Sequence, residues 1–115
     1  MKLKPLMPSL REKKRYIAFE IKSKEKLSFN EAKQAIEDKM KEFIGTLGMA
    51  NAGPIFLNDW EDNKGIVRVN SKFVDHTKAS LALIKEVNGK KVLFQSIGVS
   101  GVIDRLRKSY FKGGK

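Results

Sequence analysis

Residues 55–70 read IFLNDWEDNKGIVRVN, two apolar runs separated by a polar one. Glu61-Asp62-Asn63-Lys64-Gly65 is rich in residues that accept tight-turn backbone, so the stretch reads as a β-hairpin. The second run, GIVRVN, alternates: Val67 and Val69 share one face, and Ile66, Arg68 and Asn70 share the other. The first run, IFLNDW, opens after Gly53-Pro54 and does not alternate, because Ile55, Phe56, Leu57 and Trp60 are apolar on successive positions. A strand of that kind needs cover on both faces.

Working outward from this hairpin gives a symmetrical order. On the N-terminal side, RYIAFEIK is a strand with Ile17, Phe19 and Ile21 on one face and Tyr16, Ala18, Glu20 and Lys22 on the other. Ser28-Phe29-Asn30-Glu31 is a capping box, and Ala32, Ile36, Met40, Phe43, Ile44 and Leu47 follow at helical spacing. Gly45 and Gly48 break or restart that helix. On the C-terminal side, the pattern predicts a helix from about Ser71 to Val87 carrying Val74, Thr77, Leu81 and Ile84. Asn88-Gly89 would end it as a left-handed cap. The strand VLFQSIGV comes next, and then a helix from Gly101 to about Phe111 with Ser100 as its N-cap.

The expected fold is therefore α+β: a ferredoxin-like or RNA-recognition-like two-layer sandwich. Its four-stranded antiparallel sheet runs βαββαβ, with a C-terminal helix and an N-terminal arm added. One domain spans 1–115, with 1–12 as an extended basic arm, 13–111 globular and 112–115 a frayed tail. The sheet face away from the two long helices must be covered by the C-terminal helix, the arm or a partner.

Charge is segregated. Nine of the eleven net positive charges fall in residues 1–15 and 100–115, and the 84 residues between carry only +2. Cations so placed suit a polyanion, because each one that neutralises a phosphate releases a condensed counterion. The expected RNA-binding residues are Arg11, Lys13, Lys14 and Arg15 from one end and Arg105, Arg107 and Lys108 from the other. The alternative for the last three is a solvated helix face. The unbroken apolar strand points to a protein-partner surface at Phe56 and Trp60, with plain internal cover as the competing reading.

Other classes find little support. There is no cysteine, hence no disulfide or thiolate metal site. No run of about 18 apolar residues occurs, and the N-terminus lacks a signal-peptide core, so a cytoplasmic protein is expected. No nucleophile stands at a recognisable spacing from a base, so no catalytic residue is assigned. Asp59, Glu61 and Asp62 cluster in the hairpin, but turn carboxylates are usually solvated, and no metal site is assigned. Lys64–Val69 (KGIVRV) sits where RNA-recognition motifs carry K-G-F-G-F-V, yet Ile66 and Arg68 occupy the places of the stacking rings. Base stacking across the sheet then loses its main energy source.

Three segments together resemble a known family: REKKRYIAFEI (11–21), GIVRVNSKFVDHTKASLALIKEVNGKK (65–91) and IGVSGVIDRLRK (97–108). The R-Y strand start, the I-V-R-V strand leading into a helix, and G-x-S-G before a basic helix are similar to archaeal ribonuclease P protein component 2. The resemblance implies a non-catalytic RNA-binding subunit of ribonuclease P. Such a subunit supports the catalytic RNA in removing the 5′ leader of precursor tRNA, with Mg2+ on the RNA and no cofactor on the protein. It also implies a TIM-barrel-type protein partner, assembled as a dimer of heterodimers, and only indirect contact with precursor tRNA. The competing readings are a ferredoxin-like RNA-binding scaffold of another ribonucleoprotein such as the ribosome, and a small metal-dependent nuclease.

Overall fold

The computed structural model describes residues 13–111. The elements are β1 (Lys14–Ser23), α1 (Phe29–Ala52), β2 (Ile55–Glu61), β3 (Lys64–Asn70), a 3-10 turn (Ser71–Phe73), α2 (Val74–Leu83), β4 (Glu86–Val87), β5 (Lys90–Ser100) and α3 (Ile103–Tyr110). The strands form one antiparallel sheet in the order β2-β3-β1-β5-β4. Setting β4 aside, this is the split βαβ arrangement that the pattern predicts. The expected arm at 1–12 and tail at 112–115 lie outside the described residues.

The sheet has a core on each face. Ile17, Phe19 and Ile21 of β1, Val67 and Val69 of β3, and Phe94 of β5 pack on one side against Ala32, Ile36 and Met40 of α1 and Leu81 of α2. Each of the larger side chains stabilises the fold by roughly 1.5–3 kcal/mol relative to exposure. On the other side Ala18 and Ile66 are buried by Leu106 of α3 and by Phe111. Strand alternation in β1 and β3 therefore distributes side chains between the layers as their sequences predict.

The start of α1 is fastened twice. Ser28 Oγ accepts from the Glu31 amide at 3.1 Å, and Glu31 Oε1 accepts from the Ser28 amide at 3.0 Å. The second Glu31 oxygen accepts from Asn88 Nδ2 at 2.8 Å and from Lys90 Nζ at 3.4 Å, which ties the helix to the β4–β5 turn. The Ser28 hydrogen bond first, then Asn88 and Lys90, hold the Glu31 carboxyl at about 2 instead of its ordinary 4.5, with partial burial opposing them. A carboxyl depressed in the folded state stabilises the fold above its ordinary pKa and loses that contribution as pH falls through the folded value. Glu31→Gln is accordingly expected to lower the melting temperature at neutral pH. The gap to wild type should close between pH 4.5 and about 2. Superimposable melting curves at pH 7 would remove Glu31 as a clamp.

Several expectations are corrected. Gly45, at φ 77°, breaks α1, and Phe43 just before the break and Leu47 just after it are 48% and 76% exposed rather than continuing the buried stripe. The second long helix ends at Leu83, not Val87, because Asn88 (φ 51°) and Gly89 (φ 82°) close a two-residue hairpin in which Val87 pairs with Lys90. Ser100 does not cap the last helix. It pairs with Tyr16 in the sheet, its Oγ accepts from the Val102 amide, and α3 starts at Ile103 without a side-chain cap. Gly65 does not close the hairpin either, since Asp62 and Asn63 make that turn with φ 49° and 59°. Gly65 lies within β3, where a Cβ would stand 2.7 Å from Phe19 Cζ and 3.0 Å from Trp60 Cε3. It makes room for two rings.

A candidate nucleic-acid interface

The described parts of the two basic segments, Lys13–Arg15 and the start of the segment after Ser100, lie at one end of the sheet. Antiparallel pairing sets Tyr16 of β1 opposite Ser100 of β5, so the segment entering β1 lies beside the segment leaving β5 for α3. The Arg15 guanidinium bends onto that exit. A Cβ on Gly101 would lie 3.4 Å from Arg15 Nη1, which itself donates to the Lys14 carbonyl at 2.9 Å. Lys13 is exposed, Lys14 and Arg15 are half-buried, and Arg105 and Lys108 are exposed on α3. Arg15 thus stands beside the segment that leads into the helix carrying Arg105 and Lys108, while Arg11 lies outside the described residues.

Arg107 is placed differently. Its Nε and Nη2 donate to Asp59 Oδ2 and Oδ1 at 2.8 and 3.1 Å, and Asp104 Oδ1 lies 3.8 Å from Nη1. The Asp59 hydrogen bonds are the main cause raising the Arg107 pKa above its ordinary value. Burial opposes them, and the charges of Asp59, Asp104 and Tyr16 add to them. This forked pair fastens α3 to β2, and its cation is already matched. α3 is also anchored through Tyr110, whose hydroxyl donates to the Ile97 carbonyl at 2.6 Å.

The expected partner residues sit half-buried on the helix side of β2. Phe56 and Trp60 pack against that core, with the Trp60 ring centroid 6.3 Å from Phe19 and 5.9 Å from Phe29. Leu57 packs on the α3 side, and Ile55 remains 46% exposed. The successive apolar positions of β2 are thereby shared between two layers of the same chain.

The hairpin carboxylates are not gathered into a metal site. Asp59 is held by Arg107, and Asp62 lies in the turn. Among the described residues no group of three or more His, Cys, Asp or Glu side chains could hold a metal ion. His76 is exposed, with Phe73 and Phe43 rings at 5.2 and 6.2 Å. No described helix is long and apolar enough to cross a membrane.

The face that RNA-recognition sheets use for stacking is occupied here. Leu106 and Phe111 lie over Ala18 and Ile66, which face each other in the β1–β3 register. The residue that sequence reasoning passed over is Arg68, one row beyond that cover and opposite Tyr16. Its Nε is buried with no hydrogen-bond partner. The signal was present as an arginine on the inward-facing alternation of β3, where it registered only as a missing aromatic ring.

Comparison with known proteins agrees with this architecture. Residues 15–111 match the model of the Rpp14/Pop5 family. Ribonuclease P protein component 2 of Pyrococcus abyssi is 42% identical over 111 residues, covering 96% of this chain and 94% of that protein. The protein of the same description from Methanocaldococcus jannaschii is 43% identical over 113 residues, covering 98% and 83%. A chain in the cryo-EM structure of yeast ribonuclease MRP shares the fold, with a TM-score of 0.65 at 16% identity over 81% of this chain and 77% of that one. The chain belongs to the Rpp14/Pop5 family of ribonuclease P protein subunits.

Proposed function

We propose that the protein is a non-catalytic, RNA-binding subunit that supports the ribonuclease P RNA in removing the 5′ leader of precursor tRNA. The observation that carries this reading is the approach of Arg15 to Gly101, which merges two basic segments far apart in sequence into one surface. Such a surface relieves phosphate repulsion where RNA helices converge, so the RNA reaches its active arrangement with less Mg2+. Mg2+ belongs to the RNA in this reading, and the protein carries no cofactor. A TIM-barrel-type protein subunit is its partner in a dimer of heterodimers, precursor tRNA is met indirectly, and the particle is cytoplasmic. The partner surface includes or adjoins β2, where Ile55 is exposed and Phe56 and Trp60 are half-buried.

The test is cleavage of precursor tRNA by the ribonuclease P RNA at limiting Mg2+, with and without this protein and its partner subunit. Addition of the proteins is expected to raise the rate, and the protein with Mg2+ alone is expected to cleave nothing. Metal-dependent cleavage by the protein alone, abolished by Asp59→Asn or Asp62→Asn, would overturn the assignment.

A further inference from the structure

We propose that Arg68 is a phosphate anchor on the α3 face of the sheet, one row beyond the Ala18–Ile66 pair; this deepens the RNA-binding reading and rests on it. Arg68 stands between Tyr16 of β1 and Ile55 of β2, with Ser100 beyond Tyr16. The next row along the same face, Ala18 and Ile66, is sealed by α3. Arg68 is half-buried one row beyond that seal. Lys14 follows it on the same face, opposite Asn70.

Among the described residues the Arg68 side chain forms no hydrogen bond or ion pair, and its Nε is shielded from solvent without an acceptor. A donor left in that state costs free energy. Asp59, on the neighbouring strand, has both oxygens engaged by Arg107. The two arginines thus have opposite roles: Arg107 is spent on holding α3, and Arg68 holds nothing. Turning the Arg68 guanidinium outward breaks no hydrogen bond and exposes its fork of donors. A phosphodiester presents two non-bridging oxygens that fit such a fork. The phosphate would come from the RNA strand that passes Lys13–Arg15 and the Gly101–Lys108 segment.

The experiment measures binding of the ribonuclease P RNA transcript to the full chain across a salt series, for wild type, Arg68→Met and Arg68→Lys. Methionine keeps the stem and removes the charge. Arg68→Met is expected to flatten the slope of log K against log salt by about 0.7 to 0.9, the share of one phosphate. Wild type's advantage then falls roughly threefold between about 50 and about 200 mM salt. Arg68→Lys restores the slope, and the affinity in part. A folded Arg68→Met protein with the wild-type slope overturns the proposal. So does weakened binding to the protein partner with unchanged RNA binding, which would give Arg68 a carboxylate on that partner. If Arg68→Met fails to fold, the Arg68 Nε–H resonance of the wild type decides. A shift on adding RNA supports the anchor, and an unmoved resonance at saturation removes it. Wild-type binding without salt dependence would sink the RNA-binding reading itself. A slope flattened by Arg105 and Lys108 changes but not by Arg68→Met would sink the Arg68 assignment alone.

Discussion

Gly98→Val is expected to lift α3 from the sheet and to destabilise the protein by about 1–3 kcal/mol, the usual cost of forcing extra carbon into a filled site. A Cβ at this position would stand 2.8 Å from Tyr110 Cε2, 3.0 Å from the Tyr110 hydroxyl and 3.2 Å from Leu106 Cδ2. Tyr110 cannot retreat cheaply, because its hydroxyl is bonded to the Ile97 carbonyl. Leu106 cannot retreat either without uncovering Ala18 and Ile66. The helix must therefore move as a unit, and Arg105 and Lys108 move with it. A lower melting temperature together with weaker RNA binding is the expected pair of results. Unchanged melting in Gly98→Val would mean that α3 is not packed as described.

The second large effect concerns affinity. Replacing Arg15, Arg105 and Lys108 together with alanine removes three cations from the merged surface while leaving the Arg107–Asp59 pair intact. If each meets one phosphate, the slope of log K against log salt becomes shallower by about 2 to 3. The advantage of wild type over the triple variant then shrinks roughly 20- to 40-fold between about 50 and about 200 mM salt. The loss should be similar for unrelated RNA sequences, since phosphates carry no sequence information. Equal affinity and slope in the two proteins would place the RNA on another surface. A companion change at Arg107 is expected to act mainly on stability, because that guanidinium is committed to Asp59.

Local patterns in the chain predicted local structure well. The capping box at Ser28–Glu31, the break at Gly45 and the alternation of β1 and β3 all depend on neighbours a few residues apart, and all stand as read. Asn88-Gly89 misled because a helix cap and a type I′ turn both demand left-handed backbone, and only the pairing of Val87 with Lys90 decides between them. The burial expected for Leu47 failed because a stripe can be drawn past a glycine at which the helix axis does not continue. The division of labour among the arginines was not legible at all. Arg107 reads as one of a row of surface cations, and its partner Asp59 lies 48 residues away. Arg15 and Gly101 likewise belong to opposite ends of the chain and meet only because β5 pairs with β1.

That last pairing also orders events during synthesis. β1 occupies the middle of the sheet, between β3 and β5, yet it is the first strand to leave the ribosome and β5 is the last. Once β3 has emerged, β1 can close one side, but Ile21 waits for Phe94 and Ala18 waits for Gly98. Until then the nascent chain presents an apolar strand with an unpaired edge, the kind of surface that recruits the wrong neighbour. The register slip at Ile97 and the docking of α3 come later still, so the surface proposed to face RNA is assembled only after the edge has been sealed. A ribosome stalled before residue 90 would therefore carry an aggregation-prone fragment that lacks β5 and α3.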